Sequence, residues 1–270
     1  MRAYDQTILD HYREVAREFG LSANATMADN RTRLLETDLI VSFVRASLIR
    51  AEGRSIEDLI IADVGCGNGY SLGVLHGIDP RPKFIGFEFS PELRALAEAR
   101  FAGTDVKIRA ADIRERGRMG EPLVDVLICQ RVLINLLDRR DQITARDNMI
   151  EMLRPGGCIL FIEAFDSSLR VLNQARAEFD LDPLPAAHHN LYLPDDFFAD
   201  PRLRLWRGTA GELSENFLST HFFVTRVLHP LLLREKEFKR NSLFVSFMSQ
   251  ALRENVGDFS PVKAHAFTRV

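Results

Sequence analysis

Three glycines at alternate positions, Gly65, Gly67 and Gly69, mark the segment of this sequence that is best suited to chemistry. They follow the apolar run 59–64, which predicts a buried parallel strand, and they precede a segment whose apolar periodicity predicts a helix. Glycines between a strand and a helix let the backbone approach a ligand closely, with N–H groups of the helix pointing at it. A dinucleotide-binding loop would carry a further glycine where this chain has Tyr70. The spacing therefore predicts a loop for a nucleoside-type cofactor that departs from the pyrophosphate-binding version.

Polar side chains at the ends of neighbouring predicted strands supply a second set of candidate ligands. Asp63, Glu88 and Asp112 each fall at such an end, and Gln130 ends a fourth strand. Glu88 lies 19 residues after Gly69, where a carboxylate accepts hydrogen bonds from both hydroxyls of a ribose. Ligands of parallel sheets bind outside the carboxyl ends of the strands. We therefore expect these four side chains to line one pocket.

The order and spacing of these segments give the chain a family resemblance. Residues 63–69, Asp-Val-Gly-Cys-Gly-Asn-Gly, resemble motif I of the class I S-adenosylmethionine-dependent methyltransferases. Four further segments resemble that family in the same order: 84–92, 111–113, 125–135 and 153–163. The resemblance implies S-adenosylmethionine as the cofactor, with Glu88 on the ribose and Asp112 on the adenine amino group. The expected cofactor contacts are Asp63, Gly65, Cys66, Gly67, Glu88, Phe89, Asp112, Ile113 and Gln130, together with Arg33.

The class of acceptor is narrowed by motifs that the sequence does not contain. The segment after the fourth strand reads Cys129-Gln130-Arg131-Val132, without the Asn-Pro-Pro-Tyr or Asp-Pro-Pro-Tyr of methyltransferases acting on nucleic-acid amines. A Pro-Cys nucleophile pair and a metal-binding spacing of His, Asp or Cys are also missing. We therefore expect a metal-independent enzyme that acts on a small molecule, and our first hypothesis for the acceptor is a hydroxyl of a sugar or natural product. The alternatives are N-methylation of a small metabolite and a cofactor-binding scaffold without turnover.

A nucleotide-dependent dehydrogenase on a similar sheet is a competing enzyme class. Tyr70 in place of the third fingerprint glycine weighs against it, as does the Asp112-Ile113 element.

Two histidines in a polar segment are candidates for the general base of a methyl transfer to a hydroxyl. His188 and His189, followed by Asn190 and Tyr192, resemble a His-Asn segment of small-molecule and sugar methyltransferases. A histidine that titrates near neutral pH suits this role, and polar neighbours favour His189 over His188. The alternative is that paired histidines in a polar loop are solvated or cap a helix.

Arg131 and Asn135, directly after the fourth predicted strand, are a second pair of candidates on the acceptor side. Arg131 either binds an anionic group of the substrate or pairs with a carboxylate such as Glu163. Further candidates, which also fit the polar side of a helix, are His221, Arg226 and His229.

Two amphipathic helices are predicted before the first strand, over residues 3–19 and about 29–51, the second capped by Asp29 or Asn30. We expect them to cover the cofactor, with Arg33 reaching its methionine carboxylate or pairing with Glu36 on the same helix. Residues expected on the covering face are Tyr4, Tyr12, Met27 and Arg33.

Strand and helix patterns alternate along the rest of the chain, which predicts an α/β fold with a doubly wound, mostly parallel sheet. The resemblance implies seven strands, with an antiparallel last strand, 264–270, inserted between the fifth and the sixth. Two helical stretches, about 212–229 and 236–252, precede that strand and are expected to form a cap, a substrate lid or a homodimer face. The predicted division is a helical cap 1–55, a cofactor-binding core 56–210, a helical insertion 211–262 and the last strand 263–270.

The composition is that of an ordinary globular protein. Hydrophobic residues make up 46% of the chain, charged residues 27%, and the net charge of −3 indicates no basic footprint for nucleic acid or an anionic membrane. No apolar stretch of membrane-spanning length and no signal-peptide core are present, so a cytoplasmic location is expected. The three cysteines are expected to be buried, reduced and structural: Cys66, Cys129 and Cys158.

Overall fold

The protein is built around one seven-stranded sheet, whose strand order is β3-β2-β1-β4-β5-β7-β6. In the computed structural model, the described residues are 2–22, 29–49, 53–115, 123–208, 213–233, 241–252 and 255–270. The strands are β1 Ile60–Val64, β2 Lys83–Glu88, β3 Lys107–Ala110, β4 Val124–Gln130, β5 Leu153–Ala164, β6 Leu203–Leu205 and β7 Val262–Arg269.

The sheet is parallel except at β7. That strand runs antiparallel to β5, with Leu160 opposite Ala266, and antiparallel to β6, with Leu203 opposite Arg269. The predicted fold and the predicted place of the last strand are therefore confirmed. Every residue of β1 is buried, because helices cover both faces of a sheet of this kind.

The helices before and between the strands lie close to where the apolar pattern predicts them. Asp29 caps α2, since its carboxylate accepts the N–H of Thr32 at 3.0 Å, and Ser90 caps α4 by accepting the N–H of Leu93. The first six helices are α1 Asp5–Phe19, α2 Asn30–Ile49, α3 Tyr70–Ile78, α4 Pro91–Arg100, α5 Arg139–Met152 and α6 Asp166–Ala177.

The helical insertion before β7 differs from the prediction in its first helix. Helical structure there runs from α7 (Ser219–Phe223) through a π-helical segment (Val224–Leu228) into α8 (His229–Leu233), and α9 (Leu243–Ala251) follows. The π-helical segment ends two residues before Pro230, which has no N–H to donate to the carbonyl four residues before it. That carbonyl, on Arg226, accepts a hydrogen bond from the guanidinium of Arg176 on α6 instead.

None of the helices in the described ranges is long and apolar enough to cross a membrane.

The loop between β1 and α3 packs directly against the loop that follows β4. Gly65 has a left-handed backbone (φ +70°), and a Cβ placed on it would lie 2.3 Å from Cγ2 of Val132. Gly69 is also left-handed, and a Cβ there would lie 2.7 Å from the ring of Phe101, which directly follows α4. These glycines are therefore needed for packing within the protein as well as for approach to a ligand.

Substituting Gly65 separates the cost of this contact from the cost of the backbone conformation. Gly103 serves as the control, because it is also left-handed (φ +82°) but has open space around its Cβ position. We expect Gly103→Ala to lower the free energy of unfolding by about 1–2 kcal/mol, and Gly65→Ala to lower it by a further ~1–3 kcal/mol. Urea unfolding measures both, and Val132→Ala should recover part of the Gly65→Ala loss. Equal losses at the two glycines would contradict the contact.

Candidate active site

A cavity at the carboxyl edge of the sheet brings together the residues that the sequence singled out as cofactor ligands. It lies outside the ends of β1, β2 and β4 and beneath α1, whose Ile8, Leu9 and Tyr12 face it. Arg131 and Asn135 line it as well. The predicted ligands in its wall are Arg33, Asp63, Gly65, Cys66, Gly67, Glu88, Phe89, Asp112, Ile113 and Gln130.

Glu88 is fixed in this cavity by backbone N–H groups from two loops. One carboxylate oxygen accepts the N–H of Gly67 and the other accepts the N–H of Ser90, each at 2.7 Å. Burial raises the pKa of Glu88, and these amide hydrogen bonds oppose that rise. The carboxylate therefore joins the glycine loop to the end of β2.

Asp63 lies at the floor of the cavity with a strongly perturbed carboxyl group. Burial, reinforced by the charge of Glu88, raises the pKa of Asp63 to about 8, while Arg33 acts in the opposite direction. The Asp63 carboxyl group is therefore largely protonated at neutral pH. A cation bound next to it would favour its ionised form.

Asp112 is held by an ion-pair network that also anchors α1. The guanidinium of Arg114 donates to Asp112 at 2.6 and 2.8 Å and to Asp5 of α1 at 2.8 and 3.1 Å. The hydroxyl of Tyr4 accepts from the same guanidinium at 3.0 Å and donates to Asp141 of α5 at 2.5 Å. Sequence reasoning missed Arg114 and Asp5, and the only local signal was an arginine two residues after the predicted adenine ligand.

Glu36 of α2 organises the polar groups at the end of β4. It is fully buried, and its two oxygens accept hydrogen bonds from Gln130 and Arg131, each at 2.5 Å. Arg131 therefore pairs with a carboxylate, as one of its two predicted roles requires, but the partner is Glu36 and not Glu163. The guanidinium of Arg33 lies over the ring of Tyr70, 5.3 Å from its centroid.

Glu163, near the end of β5, supports the loop after β4 from the other side. Its carboxylate is fully buried and accepts the N–H groups of Val132 at 2.9 Å, Leu133 at 3.0 Å and Ile134 at 3.2 Å. Burial raises the pKa of Glu163 to about 7, and these three amides oppose the rise. Sequence reasoning considered Glu163 only as a partner for Arg131.

A chain of amide and hydroxyl groups joins the roof of the cavity to the segment that contains the paired histidines. The Asn135 side chain donates to the hydroxyl of Tyr12 at 2.6 Å and to the carbonyl of Arg131 at 2.8 Å. It accepts from Asn190 at 3.2 Å. Burial raises the pKa of Tyr12 to about 12, so the phenol keeps its proton at neutral pH.

His188 and His189 do not belong to the lining of this cavity. His189 stacks on His11 of α1, with ring centroids 4.1 Å apart. The ring of His188 lies nearly perpendicular to that of His189, with centroids 4.9 Å apart. Burial and the neighbouring histidines lower the pKa of His189 to about 4, so its ring is neutral at pH 7. The contacts of His189 place it where α1 meets the 187–190 segment.

The other candidate residues either contact side chains of neighbouring helices, away from the cavity lining, or fall outside the described ranges. His221 contacts Asp29 at 3.0 Å and Ser249 at 2.8 Å, which joins α7 to the start of α2 and to α9. Arg226 stacks on Phe222 and His229 on Phe244. Met27 falls outside the described residues. Within those residues, no group of three or more His, Cys, Asp or Glu side chains is arranged to hold a metal ion.

Comparisons with known proteins agree with this architecture. Residues 61–157 match the family model described as a methyltransferase domain. The magnesium protoporphyrin IX methyltransferase of Synechocystis PCC 6803, solved with bound S-adenosylhomocysteine, aligns over 99% of this chain and 96% of its own, with a TM-score of 0.54 and 12% identity. A comparison with curated protein sequences finds no match.

Two further solved structures align over smaller shares of the chain. The methyltransferase in complex with the Haloferax volcanii Trm112 activator aligns over 92% of this chain and 97% of its own, with a TM-score of 0.51 and 15% identity. The N-methyltransferase NodS of Bradyrhizobium japonicum WM9, in complex with S-adenosylhomocysteine, aligns over 59% of this chain and 76% of its own, with a TM-score of 0.47 and 24% identity. The first of these two shares the fold over most of both chains.

The buried carboxyl group of Asp63 predicts a pH dependence of stability. In the folded chain it holds its proton up to about pH 8, whereas the ordinary pKa is 3.8. Between these values the unfolded chain binds fewer protons, so the free energy of unfolding should fall as the pH rises. Asp63→Asn removes this titration, and its stability relative to wild type should rise with pH, by at most about 1.4 kcal/mol per pH unit.

Urea unfolding at several pH values between about 5 and 8 tests this expectation. Asp38→Asn, which changes a carboxylate at an exposed position of α2, is the control. If both variants keep the wild-type slope, Asp63 ionises normally in the folded protein.

Proposed function

We propose that this chain, which has a methyltransferase domain and the fold of class I methyltransferases, transfers a methyl group from S-adenosylmethionine to a hydroxyl of a small molecule, either a sugar or a natural product. The observation that supports the proposal is the single cavity in which Asp63, Glu88 and Asp112, from three different strand ends, lie together beneath α1. The net charge of −3 argues against a nucleic-acid acceptor, because the chain as a whole does not attract phosphates.

The residues of the cavity fit the proposed cofactor. We assign Asp112 and Ile113 to the adenine and Glu88 to the ribose, with Asp63, Gln130 and Arg33 at the methionine end. Asp63 supplies a specific test of fit, because its buried carboxyl group favours a cationic neighbour and the cofactor carries both a sulfonium and an ammonium group. S-adenosylmethionine supplies an already activated methyl group when it is bound, so the protein does not need to create an electrophile.

The chain's own residues then have two tasks, which are to orient the acceptor and to exclude water. Ile8 and Leu9 of α1 supply apolar surface over the cavity. Tyr12, Arg131 and Asn135 supply the polar groups next to it, and we assign them to the acceptor side. The roles of His188 and His189 as general base stay predictions, because neither ring belongs to the cavity lining.

Calorimetric titration with S-adenosylmethionine, S-adenosylhomocysteine and NADH tests the cofactor. We expect micromolar binding of the two adenosyl compounds and none of NADH. Glu88→Ala should weaken that binding by about 10- to 100-fold, because it removes charged acceptors from the ribose site. Glu98→Gln, at an exposed position of α4, is the matched control and should bind as wild type does.

Binding of NADH alone, or of none of the three compounds, would overturn the proposal. If the adenosyl compounds bind, a screen of hydroxyl and amine acceptors with labelled methyl donor separates an enzyme from a scaffold. Label in a sugar or natural-product hydroxyl supports the acceptor proposed here. Label in an amine assigns the chain to N-methylation, and binding without transfer to any acceptor assigns it to a scaffold.

A further inference from the structure

Residues 130–135, which comprise the last residue of β4 and the loop after it, are held between two carboxylates that come from opposite sides. Glu36 of α2 binds the side chains of Gln130 and Arg131, and Glu163 of β5 binds the backbone of residues 132–134. Both carboxylates have no exposed surface. Burying a carboxylate costs several kcal/mol unless charged or N–H partners compensate it. Moving the partners away from either carboxylate would therefore be unfavourable by a similar amount.

The backbone conformation of the loop depends on these partners. Arg131 is left-handed, with φ at 57°, a conformation that disfavours a side chain of this type by about 1–2 kcal/mol. The turn at Arg131 brings three consecutive N–H groups onto the single carboxylate of Glu163, at 2.9 to 3.2 Å. Without an acceptor there, the amides of residues 132–134 would lose their partners, two of them buried, and the turn would be held only by the remaining hydrogen bonds, such as that from Asn135 to the carbonyl of Arg131.

The same loop controls both ends of the reaction site. Its Val132 packs against Gly65 of the glycine loop. Its Gln130, Arg131 and Asn135 line the cavity. A shift of the loop would therefore move a wall of the proposed cofactor site and the polar groups of the proposed acceptor site together.

We propose that Glu163 and Glu36 are positioning residues for methyl transfer, which fix the loop 130–135 so that Gln130, Arg131 and Asn135 face the cavity before any ligand binds. This inference rests on the function proposed above. Neither carboxylate belongs to the cavity lining, so each acts through the loop and not by touching a ligand.

Amide hydrogen exchange at Val132, Leu133 and Ile134, combined with calorimetry of S-adenosylhomocysteine, tests the role of Glu163. We expect Glu163→Ala to accelerate exchange of these amides by at least about tenfold and to weaken S-adenosylhomocysteine binding by about tenfold. Glu163→Gln should fall between the alanine variant and wild type, because its remaining carbonyl oxygen still accepts N–H groups. This variant also carries the test if the alanine variant fails to fold.

Asp125→Asn is the matched control for a merely structural effect. Asp125 is also a buried carboxylate that accepts a backbone N–H, from Ile60 at 2.8 Å, but it lies at the opposite end of β4. It should lower the unfolding temperature without changing exchange in residues 132–134 or affinity for S-adenosylhomocysteine.

Glu36 is tested in the same assay by Glu36→Gln, with Asp38→Asn at an exposed position of the same helix as its control. We expect Glu36→Gln to weaken S-adenosylhomocysteine binding by about three- to tenfold, because its carboxamide has one acceptor oxygen where the carboxylate has two for Gln130 and Arg131. Asp38→Asn should leave this binding unchanged.

The two proposals fail in different ways. If wild-type protein does not bind S-adenosylhomocysteine, the methyltransferase function fails, while the exchange data still report on the loop. If wild type binds it but Glu163→Ala exchanges and binds like Asp125→Asn, then Glu163 is structural only and the positioning role is overturned. Equal binding by Glu36→Gln and Asp38→Asn would overturn that role for Glu36.

Discussion

Buried carboxylates at the carboxyl edge of the sheet impose the constraint on which the rest of the site depends. Glu36, Asp63, Glu88 and Glu163 are each almost fully removed from solvent. A buried charge must be met by hydrogen-bond donors or cations, or else it is neutralised by a proton. Glu88 and Glu163 accept hydrogen bonds from loop amides, and Glu36 accepts them from Gln130 and Arg131. The raised pKa of Asp63 favours its protonated, neutral form. The loops after β1, β2 and β4 take the shapes that these four carboxylates require.

The roof of the cavity is held in a different way. Among the apolar side chains of α1, only Ile8 and Ala16 are buried, so apolar packing fixes this helix weakly. Its position depends instead on Asp5 with Arg114, on Tyr12 with Asn135 and on the stack of His11 with His189. The floor of the site is therefore set by the sheet, whereas its roof is set by polar contacts that reach three separate segments.

The fold and the grouping of the strand-end carboxylates in one cavity were predictable because their signals are local. The glycine loop, the carboxylates at strand ends and the alternation of strands and helices all lie within short stretches of sequence. Glu36, Glu163 and Arg114 gave no such signal, because their partners are distant in the chain. Glu36 lies 94 and 95 residues from its two partners, Arg114 lies 109 residues from Asp5, and Glu163 lies 29 to 31 residues from the amides that it binds. The first insertion helix was misjudged because the effect of Pro230 depends on Arg176, which lies 54 residues earlier.

The contact between Gly65 and Val132 has a consequence for the evolution and redesign of acceptor choice. A larger side chain at position 132 would push against the backbone of the glycine loop, so position 132 is closed to enlargement while Gly65 stays where it is. Leu136 lies in the same wall of the cavity, beyond the amides that Glu163 holds. Under the proposed function, variants that aim at other acceptors should therefore keep position 132 small and vary position 136 and, on the facing side of α1, Leu9.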